Sequence, residues 1–104
     1  MPDRPTKYAV TLSKLARKAL AEDLPLRIVE AVMAFIEGPL AENPYRVGKQ
    51  LNEPLFPMYS ARRGEYRILY FIDQDQVFVE IVKIEHRSVV YRNFKPGKPG
   101  SKQV

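Results

Sequence analysis

The chain has 104 residues, with 17 Lys and Arg against 12 Asp and Glu, a formal charge of +5, one histidine and no cysteine. That length builds one core and not two; the missing cysteine excludes disulfides, thiolate metal sites and cysteine nucleophiles, and His86 alone leaves zinc short of ligands. No metal and no cofactor is therefore expected, and the basic balance favours a polyanionic partner, either nucleic acid or an acidic protein.

Residues 1–6 form a polar, Pro-containing lead, and KYAVTL at 7–12 is β-prone. From Ser13, a residue type suited to an N-cap, the pattern turns helical, with Leu15, Ala16, Ala19 and Leu20 in one stripe and Lys14, Arg17 and Lys18 on the other face. Asp23-Leu24-Pro25 breaks this helix and starts a second, whose stripe is Ile28, Val32, Phe35 and Ile36, widened by Val29 and Met33, and which Gly38-Pro39 stops. The Pro-, Asn- and Gly-rich stretch 39–57 reads as a long connection. Period-two patterning then marks a short strand at 58–61, a strong one at 66–72 and a returning one at 77–84, with a hairpin turn at Asp73–Gln76. The expected organisation is a single domain over 7–94 and a flexible basic tail over 95–104. Its class is α+β: an antiparallel or mixed sheet of about four strands, with an N-terminal two-helix hairpin packed on one face. With no apolar leader and no membrane-length apolar stretch, a soluble, cytoplasmic protein is expected.

Arg67 lies inside the strong strand, where Tyr66, Ile68, Tyr70 and Ile72 share one face and Arg67, Leu69 and Phe71 the other. Its ordinary explanation is a sheet-edge ion pair with Glu65 or Glu80. The stretch IEHRSVVYRNF at 84–94 adds His86, Arg87, Tyr91 and Arg92 near the end of the neighbouring strand. An imidazole, fixed guanidiniums and a phenol suit phosphodiester cleavage, because charge gathers on the phosphate oxygens in the transition state and guanidiniums stabilise it there. In RNA the 2′-hydroxyl is the nucleophile, so the protein supplies a base, an acid and cations. Arg46, Lys49, Arg62, Arg63 and Arg92 are candidate RNA-backbone contacts, set against the ordinary reading of a solvated basic surface.

The two-helix start ending in GPLAENPYRVGKQL, the SARRGEYRILYFID strand entry and the IEHRSVVYRN finish resemble the RelE/ParE superfamily of type II toxin–antitoxin toxins, RelE branch, from about residue 7 to residue 93. The resemblance implies a RelE-like fold and a metal-independent endoribonuclease, an mRNA interferase that cuts mRNA in the ribosomal A site and inhibits translation. It places Arg67 on the family's strand arginine, Tyr91 on its RNA-stacking tyrosine, and Arg87 in the motif that binds phosphate or assists the leaving group. It also implies a cognate antitoxin, mRNA and the ribosome as partners, and toxin–antitoxin hetero-oligomers on operator DNA. The sequence departs where the family carries two lysines on the strand before the arginine: Met58 and Ser60 stand there, and Glu85 replaces one arginine. His86 is the leading candidate for the general base, with Glu85 and Lys49 as alternatives. The competing readings are a ParE-like toxin that inhibits DNA gyrase without catalysis, and an inactive member acting only in a repressor complex.

Overall fold

A computed structural model of the chain describes residues 7–88. The expectations attached to residues 1–6, to Tyr91 and Arg92, and to the tail lie outside the described residues. Strand β1, Ala9–Leu12, leads into helix α1, Lys14–Lys18, which widens into a π-helical turn over Ala19–Asp23. Helix α2, Leu26–Phe35, widens likewise over Ile36–Leu40. Four strands follow: β2 Lys49–Gln50, β3 Tyr59–Arg63, β4 Tyr66–Asp73 and β5 Phe78–His86.

The expected stop at Gly38-Pro39 is passed by two residues. Ala41 N–H reaches back to the Ile36 carbonyl, so the hydrogen bond steps over Pro39, which has no N–H to give. At the other end of the hairpin Ser13 caps α1 as its residue type suggests, accepting from Ala16 N–H at 3.0 Å.

The sheet has five strands in the order β1-β5-β4-β3-β2, with β1 parallel to β5 and all other neighbours antiparallel. The strand missed in the sequence is β2. Its two residues are too few to show a period, and it exists because it pairs with β3 and Leu51 N–H closes onto Met58 O at 2.8 Å. A two-residue turn joins β3 to β4, and Gly64 sits in it at φ 62°, a conformation glycine adopts without penalty.

One face of the sheet carries the core. Ala16, Val32, Phe35, Ile36 and Leu40 of the hairpin pack on Ile68, Tyr70, Val79, Ile81 and Ile84 of the sheet. Full burial of each large aliphatic side chain here is worth roughly 1.5–3 kcal/mol. Tyr70 is fully buried, and its hydroxyl donates to Pro44 O at 2.7 Å. Burial pushes the Tyr70 phenol well up, which keeps it a donor. Gly48 is required beside it, since a Cβ there would lie 2.1 Å from the Tyr70 hydroxyl.

β4 and β5 do not pair in one continuous register. Leu69 faces Lys83 but Tyr70 faces Ile81, so Val82 is an extra residue, a β-bulge. The Ser13 hydroxyl donates to the Val82 carbonyl at 2.6 Å, which ties the helix start to the bulge.

Candidate active site

Because Ile68 and Tyr70 pack beneath the helices, alternation sends Arg67, Leu69 and Phe71 to the outer face. Cross-strand register then arranges that face in rows. Arg67 lies between Arg62 on β3 and Glu85 on β5. The next row runs Lys49, Ser60, Leu69, Lys83 across β2 to β5. Phe71 and Glu80 form a third row farther along the sheet. Members of a row on adjacent strands stand about 5 Å apart at the backbone.

The first two rows hold Lys49, Arg62, Arg67 and Lys83 against the single carboxylate of Glu85. Two arginines directly opposite one another repel and by themselves weaken the sheet. The arrangement suits an anion lying across β3 and β4. Lys83 Nζ stands 3.3 Å from Glu85 Oε2, both side chains about one-fifth exposed, and Arg67 Nε is shut off from solvent. The carboxylate facing Arg67 in register is thus Glu85. Glu80 lies opposite Phe71, and Glu65, in the β3–β4 turn, is 3.6 Å from Arg87 Nε.

Arg87 reaches the same end of the sheet by a different route. Its N–H bonds Glu65 O at 2.8 Å as the backbone turns helical at 87–88, next to the turn that joins the Arg62 and Arg67 strands. His86 does not join Arg67. It is opposite Tyr66 in register, on the helix side, its ring edge-on to Tyr66 with centroids 5.4 Å apart and its Nδ1 3.0 Å from Ser88 Oγ. With Asp23, Leu24, Tyr66, Ile84 and Glu85 it lines a hollow of about 260 Å³. Arg63 also faces the helices, its guanidinium carbon 4.8 Å from the centre of the Phe35 ring. Arg46 is exposed in the turn before β2, and no register row assigns it to the Arg67 face.

Lys83 is the residue that sequence reasoning missed, and the bulge explains both this and the displacement of His86. Strict alternation from Val79 and Ile81 puts Lys83 and Glu85 beneath the helices and His86 on the outer face. The extra residue at Val82 reverses that assignment. Among the described residues no cluster of three or more His, Cys, Asp or Glu is placed to hold a metal ion, and no helix is long and apolar enough to cross a membrane.

The fold, an α-helical hairpin over one face of a mixed sheet with a cationic outer face, is that of a known class. A family model described as the ParE toxin of type II toxin–antitoxin systems matches residues 10–91, and the chain belongs to this RelE/ParE superfamily of toxins. It is 45% identical over 85 residues to Toxin RelG of Mycobacterium tuberculosis, covering 82% of this chain and 97% of that protein. Toxin RelE of the same organism is 42% identical over 92 residues, covering 88% and 93%. The crystal structure of the toxin–antitoxin complex RelBE2 from M. tuberculosis contains a chain of TM-score 0.75 and 42% identity, with 84% of this chain and 99% of that one covered.

Proposed function

We propose that this toxin is a metal-independent endoribonuclease that cleaves mRNA in the ribosomal A site, by attack of a 2′-hydroxyl on the adjacent phosphate, and so stops translation. The observation that carries the reading is Arg67, held on the outer face of the sheet between Arg62 and Glu85. A guanidinium fixed on a strand loses little freedom when it binds a phosphate, and its planar fork matches the equatorial oxygens on which charge develops. Arg62 adds a second cation one strand away, and Arg87 a third at the same end of the sheet. Tyr91 is assigned to stacking on a base and Arg92 to the RNA backbone. The relatives named RelE and RelG, and the RelBE2 complex, support the nuclease branch and a cognate antitoxin that covers the basic face with an acidic or amphipathic segment.

The test is induced expression of wild type and of Arg67→Ala without antitoxin, with growth followed and mRNA ends mapped. Wild type is expected to arrest growth and to generate new 5′ ends within translated codons. Arg67→Ala should lose at least ~100-fold of the cleavage rate, as removal of one oxyanion donor does elsewhere. The ParE description of the matching family favours a second reading, contact inhibition of DNA gyrase. Intact mRNA together with inhibited supercoiling by the purified toxin would select it.

A further inference from the structure

The nuclease reading leaves two proton transfers to assign: it uses Arg87 as a phosphate-binding cation, and the imidazole that the sequence offers as base lies on the helix side of the sheet. We infer that Glu85 is the general base that takes the 2′-hydroxyl proton, and that Lys49 on edge strand β2 gives the proton that the leaving 5′ oxygen needs. This assignment rests on the nuclease reading and adds to it the identity of the two groups.

Of the described carboxylates that β4 and β5 present on the outer face, Asp73 ends β4 six residues and about 20 Å from Arg67, and Glu80 is opposite Phe71, four residues and about 13 Å away, while Glu85 is directly opposite Arg67. A carboxylate one strand away from the guanidinium that binds a phosphate repels that phosphate. Its presence in a binding row is costly unless it has work to do there. Lys83, 3.3 Å from Glu85, offsets the repulsion and fixes the orientation of the carboxylate. The β5 bulge is what brings both residues to this face.

A phosphate above Arg67 and Arg62 has β5 on one side and β2 on the other. In-line displacement needs a proton acceptor beside the entering oxygen and a donor beside the departing one, on opposite sides of phosphorus. Glu85 occupies the β5 side, and Lys49, across from Ser60 in the adjoining row, occupies the β2 side. As the O2′–P bond forms and the P–O5′ bond breaks, the O2′ proton passes to a Glu85 carboxylate oxygen. O5′ receives a proton from the Lys49 ammonium. The products are a 2′,3′-cyclic phosphate and a 5′-hydroxyl, and both protein groups then exchange protons with water to reset.

The experiment uses purified toxin, ribosomes programmed with ordinary mRNA, and ribosomes programmed with mRNA whose scissile 5′ oxygen is replaced by sulfur. A thiolate leaves without protonation, so this substrate rescues loss of an acid and not loss of a base. Glu85→Gln is expected to lower kcat at least ~100-fold with KM within about threefold of wild type, on both substrates. Lys49→Met is expected to be slow on the oxygen substrate and close to wild type on the sulfur one. Glu85→Asp, with melting temperatures of all variants, separates a lost base from a lost fold: it should recover part of the rate. Glu85→Gln cutting within about threefold of wild type, or rescued by sulfur, overturns the base assignment. Lys49→Met left slow by sulfur, or as fast as wild type on oxygen, overturns the acid assignment. A wild-type protein that cuts neither substrate removes the nuclease reading and this inference with it.

Discussion

Arg62 and Arg63 are neighbours in the chain and face opposite ways. Arg62 lies in the Arg67 row on the outer face, while Arg63 stands over the Phe35 ring on the helix side. Composition treats them alike, and only alternation within β3 separates them. Their alanine variants should therefore differ in kind. On the nuclease reading Arg62→Ala is expected to slow RNA cleavage about tenfold or more through loss of one phosphate contact, with stability equal to or above wild type because the repulsion with Arg67 is relieved. Arg63→Ala should leave cleavage near wild type and cost about 0.5–1 kcal/mol of stability, the usual worth of an exposed cation–π contact. Parallel cleavage assays and denaturant melts check the pair; equal effects of the two on cleavage would refute the face assignment.

The decisive element is β5. A single inserted residue, Val82, turns Lys83 and Glu85 outward and His86 inward, so a half-turn of one strand decides which side chains meet Arg67. That bulge is held by a side chain distant in sequence, the Ser13 hydroxyl, which donates to Val82 O at 2.6 Å and accepts from Ala16 N–H at 3.0 Å. Ser13→Ala removes both bonds at once. The expected loss is about 1–2 kcal/mol, from the cap together with a half-buried carbonyl left without its donor, and urea melts measure it. Gly48→Ala tests the neighbouring loop. Its new methyl would collide with the Tyr70 hydroxyl that anchors Pro44, and a destabilisation of about 1–3 kcal/mol is expected by the same measurement.

Across the whole molecule the two faces of the sheet divide the labour. Apolar residues on the helix side supply the stability, and the side facing away gathers Lys49, Arg62, Arg67 and Lys83. If these four cations meet RNA phosphates, counterion release makes binding steeply salt-dependent. The slope of log affinity against log salt should approach about −3, roughly a 20-fold loss for a threefold rise in salt. Filter binding of a non-cleavable 2′-deoxy RNA across a salt series gives the slope, and a flat response would show that the outer face does not carry the contact.

Local patterning was enough for the α+β class, the two helices, the Ser13 cap and the long β4–β5 hairpin. Each of these depends on residues close in sequence, whose periods of 3.6 and 2 report directly which side is buried. The fifth strand, the parallel pairing of β1 with β5, the Val82 bulge and the two adjoining rows that bring Lys49, Arg67 and Glu85 to one face are products of tertiary structure. Register between strands is settled by which apolar residues can reach the core together. A shift of one residue reverses every side chain beyond it, and nothing in a single strand's own sequence records that shift.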